Sequence, residues 1–333
     1  MKLTIEQLLD QKSLTQEEAR EVMVKIMSGK YDDAKIAGFL IALRAKGEKS
    51  EEIAGFAQAM REKMTSIPIS SDAIDMCGTG GDESGTFNIS TAASFVVAGA
   101  GVKVAKHGNR SMTSRSGSAD VLEALGVDIT LSPEKVAKCI ETIGLGFMFA
   151  PSLHPAMKYA MGARKSLAVQ TVFNILGPLC NPAGVKRQVI GVFDGKLTDR
   201  IAEVLKLLGA EHAMIVHGND GLDEISTTDA TKYTELTPDG VIHSGVLTPL
   251  DFGLPVSSPE SLLGGEPSEN AEIIHSIFDG EKGSPRDIIV INAAAGIKVG
   301  GKAKSLTDGI KLAEESIDSG SAKNVLQSLA AVK

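Results

Sequence analysis

The chain has 333 residues, 43% hydrophobic and 23% charged, enough for two domains with sizeable cores and typical of a globular protein. A net charge of −8 argues against a nucleic-acid duplex as partner. No apolar run approaches the roughly 20 residues needed to span a bilayer. Cys77, Cys139 and Cys180 lie far apart with no CxxC pair, which argues against a disulfide framework or zinc site and for a reducing cytoplasm.

In chain order, the first 65 or so residues read as a run of helices. Thr4 with Gln7, and Thr15 with Glu18, have the spacing of capping boxes. Ala19, Val22, Met23, Ile26 and Met27 follow helical spacing up to Gly29. Ile36, Phe39, Leu40 and Leu43 do so up to Gly47, and Ile53, Phe56, Ala57, Met60 and Met64 do so again. Such amphipathic helices are expected to pack on one another and on a second subunit. Pro68, Ser70 and Ser71 mark a linker.

Beyond the linker, short β-like runs at 73–77, 102–105, 147–149, 188–193 and 213–217 alternate with helical stretches near 91–100, 119–125, 133–143 and 198–208. That alternation predicts a parallel sheet flanked by helices. Residues 231–246 read as an antiparallel excursion turning at Asp239 and Gly240. The tail from Ser284 is helical again. The helix-like stretch 155–176 is expected to rejoin the N-terminal helices. The expected organisation is a helical domain over 1–68 joined by about 155–180, and an α/β domain over 72–154 and 185–333.

Charge is unevenly placed. Residues 84–119 and 142–193 contain no Asp or Glu, yet carry Lys103, Lys106, Arg110 and Arg115, then Lys158, Arg164, Lys165, Lys186 and Arg187. A basic site inside an acidic protein suits a small polyanion.

Four motifs carry chemistry. In the first, DMCGTGGDESGTFNIST (75–91), a strand runs into clustered glycines and then a helix. Backbone N–H groups and the positive end of a helix suit phosphate there. No GKS or GKT follows and the pattern is not GxGxxG, so neither a P-loop nor a nicotinamide site is indicated. In the second, KHGNRSMTSR (106–115) and SGSAD (116–120) follow the next strand, where open parallel sheets bind ligands. In the third, HGNDGLDEIS (217–226), Asp223 and Glu224 offer oxygen ligands to a Mg²⁺ that also bridges substrate phosphates. The fourth spans FAPSLHP (149–155), Arg164 and NILGPLCNP (174–182). An Arg with no acid near it in sequence can grip a substrate carboxylate, or pair with an acid from elsewhere in the fold.

Taken together and in this order, GTGGD…TFNIST, KHGNR…SGSADVLEALG, NILGPL.NP and GLDEIS resemble the motif set of the anthranilate phosphoribosyltransferases over essentially the whole chain. The resemblance implies an α/β fold of the nucleoside phosphorylase/phosphoribosyltransferase kind. In it a small N-terminal helical domain joins a larger domain with a mostly parallel central sheet flanked by helices. It also implies a homodimer through the helical domain, phosphoribosyl pyrophosphate and anthranilate as substrates, and Mg²⁺ as cofactor. Nucleic acid and membrane are not expected partners.

By the same resemblance, Gly78, Gly81, Asp82 and Thr86 frame the phosphoribosyl pyrophosphate site. Asn88, Ile89, Ser90 and Thr91 at the helix start bind it with Lys106, His107, Gly108 and Asn109. The rest of that loop, Arg110, Ser111, Met112, Thr113 and Ser114, takes part too, and so does Ser118. Ser90, Asp223 and Glu224 serve the metal. Gly78, Asn109 and Arg164 hold anthranilate, with His107 and His154 near its way in. Lys106 and Arg164 are the expected catalytic residues. Cys180 stands where the family often has Thr, and Glu83–Ser84 is a variable spot. The implied chemistry is displacement at the anomeric carbon through an oxocarbenium-like transition state. An aromatic amine already has a free lone pair at neutral pH, so no strong general base is required. A pyrimidine nucleoside phosphorylase, or a non-enzymatic nucleic-acid-binding relative of the same fold, is the competing reading.

Overall fold

The computed structural model describes residues 1–70, 72–82, 84–111 and 115–333. Ser71, Glu83, Met112, Thr113 and Ser114 lie outside the described residues.

Four helices open the chain: α1 (Lys2–Leu9), α2 (Gln16–Met27), α3 (Asp33–Lys46) and α4 (Ser50–Lys63). The Thr15–Glu18 capping box forms, with Thr15 Oγ1 accepting the Glu18 N–H. The Thr4–Gln7 pair does not form one, because α1 already starts at Lys2 and places Thr4 inside the helix. Gly47 stops α3 at a φ of 85°, which a residue with a Cβ rarely adopts. Residues 155–180 also join this packing. Helix α9 (Lys158–Leu167) lies against α2 and α3, and its Ala160 and Ala163 share a core with Phe39, Phe56 and Leu43.

The remainder is organised on a seven-stranded sheet: β1 (Ile74–Gly78), β2 (Val104–Gly108), β3 (Leu145–Phe149), β4 (Arg187–Gly191), β5 (His212–Gly218), β6 (Thr231–Leu236) and β7 (Ile242–Leu247). Its order is β3-β2-β1-β4-β5-β6-β7. The first five strands pair in parallel, and β6 and β7 add the expected antiparallel hairpin. Alternation along each strand divides the core. Ile74, Met76, Val104, Val189, Met214 and Val216 face a layer containing α5 (Ile89–Gly99) and α13 (Ser284–Val299). Ile190, Val192, Ala213 and Ile215 face α11 (Leu197–Leu207) and the helical unit.

The chain walks outward through β1, β2 and β3, then returns to place β4 on the other side of β1. That reversal opens a crevice beyond the carboxyl ends of β1 and β4. β2 runs to Gly108 rather than stopping near residue 105, so Lys106 and His107 are strand residues. β3 fixes this register by pairing Lys106 with Phe147 and His107 with Met148.

Candidate active site at the strand ends

The β1–β2 ladder has one register pair, Ile74 with Val104. Beyond it, side chains take over the role of ladder bonds. Asp75, fully buried, accepts the His107 N–H at 3.1 Å and the Asn181 amide at 2.7 Å. Lys106 Nζ donates to the Met76 carbonyl at 2.6 Å and reaches Ser90 Oγ at 3.5 Å. Ser90 is the second residue of α5, so one ammonium links two strands to the start of that helix. Burial pushes the Lys106 ammonium toward the neutral form, opposed by Asp75, Cys77, Glu224 and Asp223.

Asp223 and Glu224 follow β5 and enter this crevice from the neighbouring strand. Asp223 Oδ2 accepts the Gly80 N–H at 2.9 Å, and Glu224 Oε1 accepts the Ser90 N–H at 3.0 Å. The approach is so close that a Cβ on Gly191 would overlap the Asp223 carbonyl oxygen, and one on Gly78 would overlap its carboxylate. Glycine is required there by space. The N–H expected to face phosphate at the α5 start is thus already given to Glu224. Ile89 and Thr91, which flank Ser90, are buried, and Ile89 belongs to the apolar core beneath the sheet.

Both carboxyls are pushed toward protonation, first by burial. Asp82 then raises Asp223, Asp223 raises Glu224, and Lys106 pulls both the other way. Among the described residues, no three His, Cys, Asp or Glu side chains converge to hold an ion unaided. A Mg²⁺ fits nonetheless, because it takes one or two carboxylates and completes its shell with phosphate oxygens and water. The excess of acid over base around Asp223 and Glu224 is what such a cation would relieve.

The glycine-rich loop is held in place. Ser84 Oγ donates to Asp82 at 2.6 Å, Thr86 bridges Leu263, and Gly264 N–H donates to the Gly85 carbonyl. Asn88 donates to the Ser116 carbonyl and accepts from Ser116 Oγ and Asn270, all at 3.0 Å. That ties the α5 start to the loop before α6 (Ser118–Ala124), where Ser118 packs beneath Gly108. Arg110 is turned to Asp120 and Glu123, and Ser111 N–H also meets Asp120.

Of the nine basic residues in the acid-free stretches, Lys103, Arg110, Lys186 and Arg187 are paired with acids from outside them. The basic character is therefore concentrated at fewer positions than the sequence pattern implies.

The residues expected to meet anthranilate have a different character. His107 faces away from Lys106, by strand alternation, and meets His154 at 3.1 Å between Nε2 atoms. Burial, as the largest cause, lowers His107 to about 3 and His154 to about 4, so both are neutral at pH 7. They are buried against each other rather than open at a mouth. Arg164, on α9, stands over the Phe173 ring at 5.2 Å. Among the described residues it has no ion-pair partner, and no hydrogen bond joins it to Asn109 or Gly78. Asn109 is exposed at the end of β2, its carbonyl accepting the Ala119 N–H.

The sequence reading gave no role to Asp75, Asn181 or Asn270. An Asp inside the apolar run AIDMC was the available signal for the first. The two asparagines take their meaning from partners 106 and 182 residues away.

The comparisons with known proteins agree with this architecture. Residues 70–323 match the α/β domain of a glycosyl transferase family, and residues 2–64 match its helical bundle domain. Fold and site thus define a two-part glycosyltransferase. The anthranilate phosphoribosyltransferase of Alkaliphilus metalliredigens is 52% identical over 99% of this chain and 97% of its own. That of Methanosarcina barkeri is 54% identical over 96% and 87%. The crystal structure of the Thermus thermophilus enzyme superposes with a TM-score of 0.92 at 42% identity, covering 98% of each chain. The Saccharomyces cerevisiae enzyme, in complex with phosphoribosyl pyrophosphate and Mg, gives 0.88 at 30% identity over 98% and 97%. The chain belongs to the anthranilate phosphoribosyltransferase family.

Proposed function

We propose that the chain transfers the 5-phosphoribosyl group of phosphoribosyl pyrophosphate to the amine of anthranilate, releasing pyrophosphate, as a step of tryptophan biosynthesis. The observation that carries this reading is the meeting of the glycine-rich loop, Lys106 and the Asp223–Glu224 pair at one crevice. The relatives favour this transfer over nucleoside phosphorolysis.

In this reading the glycine-rich loop and the segment from Lys106 to Ser114 cradle the phosphates, while Gly78, Asn109 and Arg164 receive anthranilate. Ser90, Asp223 and Glu224 would hold Mg²⁺. When bound, that ion would neutralise charge developing on the departing pyrophosphate. Lys106 supplies the protein's own positive charge to the same group. It is nearly sealed from solvent, which strengthens its attraction for an anion. A lysine has three N–H donors, and the contacts to Met76 and Ser90 leave one for a pyrophosphate oxygen. Arg164, weakened as a cation only by burial, gives two parallel donors to the anthranilate carboxylate and presents the amine to the anomeric carbon. The neutral His107–His154 pair adds no charge beside the aromatic ring.

The same proposal includes a homodimer through the helical unit, supported by exposed Leu3, Leu9, Ile41 and Met161 on α1, α3 and α9. It also includes a cytoplasmic location, supported by three free cysteines. No helix among the described residues is long and apolar enough to cross a membrane. The deciding experiment is a Mg²⁺-dependent assay with both substrates, following loss of anthranilate fluorescence. Turnover is expected, and its absence from folded protein overturns the proposal.

A further inference from the structure

Behind the acid pair, on the side away from the cleft, α13 carries a single carboxamide, Asn292, in the otherwise apolar run IIVINAAAGI. It has no solvent exposure. A buried amide is costly unless its donors and acceptor are all met. Asn292 meets them on one neighbour and on its own helix. Its Oδ1 accepts the Ile225 N–H, and its Nδ2 donates to the Ile225 carbonyl and to the Ile288 carbonyl, each at 2.9 Å.

The side chain thus grips both polar groups of one residue, as a neighbouring strand would. That residue directly follows Asp223 and Glu224. The N–H it grips belongs to the Glu224–Ile225 peptide, which is planar, so fixing that N–H fixes the plane from which the Glu224 backbone departs. On the cleft side the two carboxylates accept the Gly80 and Ser90 N–H groups. Asn292 is the buried tie that holds this loop from behind the two acids.

We propose that Asn292 is a positioning residue for the transfer: it sets the Glu224–Ile225 peptide so that the Asp223 and Glu224 carboxylates meet a divalent cation as a prearranged pair. The proposal rests on the reading of that pair as the metal carriers. The test uses the full chain with Asn292→Leu, close in size, and Asn292→Ser, which keeps a hydroxyl and guards against a leucine variant that does not fold. Asp223→Asn serves as the control. Mn²⁺ binding in the presence of pyrophosphate is measured by calorimetry, beside steady-state kinetics.

Asn292→Leu is expected to weaken Mn²⁺ binding about 10-fold and to raise the Mg²⁺ needed for half-maximal activity by a similar factor. The KM for anthranilate should stay within about twofold, and Asn292→Ser should fall between. A folded Asn292 variant that loses thermal stability but binds Mn²⁺ like the unsubstituted chain overturns the proposal, leaving the amide a core-filling role. An Asp223→Asn control with unchanged Mn²⁺ affinity removes the metal reading itself, and the proposal falls with it.

Discussion

On the wall of the cleft formed by β1, β2 and α5, the charged groups Asp75, Lys106, Asp223 and Glu224 each already have a hydrogen-bond partner within the protein. On α9, proposed as the opposing wall, Arg164 stands over the Phe173 ring and has no carboxylate partner among the described residues. The contrast follows from what each wall is proposed to bind. A pyrophosphate arriving with a divalent cation brings charges of both signs, so its wall can be built in advance from acids and a lysine that hold one another. A monocarboxylate brings one negative charge, and a guanidinium left uncommitted is the simplest group to meet it. The two walls should therefore fail in different ways when altered.

The largest effect is expected from Lys106→Met, which removes the cation that faces Asp75, Asp223 and Glu224. The kcat should fall about 10³-fold, the upper range for loss of a preorganised electrostatic donor, with circular dichroism confirming the fold. Next comes the double change Asp223→Asn, Glu224→Gln, expected to lower activity about 10²-fold at fixed Mg²⁺ and to change the Mg²⁺ requirement. In the unsubstituted chain the raised carboxyls must lose protons to hold a cation, so apparent Mg²⁺ affinity should increase with pH. A flat dependence contradicts the assignment of that wall.

A smaller effect belongs to the buried histidine pair, His107 and His154. Unfolded histidine takes up a proton near pH 6.5, whereas His107 and His154 stay neutral in the native state down to about 3 and about 4. Between those values the unfolded chain binds more protons, so the stability they contribute is whole above pH 6.5 and is lost as pH falls below it. The melting temperature should drop by about 5 °C between pH 6.5 and 5, and His154→Gln should flatten part of that slope. An unchanged slope in the variant means that other groups set the acid limit.

Much of this arrangement was legible in the sequence, for reasons tied to short range. Capping at Thr15, the stop at Gly47 and the alternation of β-like and helical runs depend on residues within a turn or two of each other. So does the hairpin turning at Asp239 and Gly240. Thr4 misled because a capping box needs a helix that starts there, and α1 starts two residues earlier. Lys106 and His107 read as loop residues because a polar pair rarely occupies a buried strand. They do so here only because the Met76 carbonyl, Ser90 and His154 satisfy them from other elements. Arg110 counted among the bases of an acid-free stretch, and the acids that pair with it lie just beyond that stretch, 10 and 13 residues on. Asn292 was out of reach altogether, since its role is defined by a peptide 67 residues away.

The division between the two walls is tested most directly by Arg164→Ala, with KM measured separately for each substrate. Loss of a charge-assisted pair to the anthranilate carboxylate should raise the anthranilate KM by about 10- to 100-fold. The KM for phosphoribosyl pyrophosphate and the Mg²⁺ requirement should change by less than about twofold. An anthranilate KM that stays where it was, or a rise confined to phosphoribosyl pyrophosphate, would contradict the account.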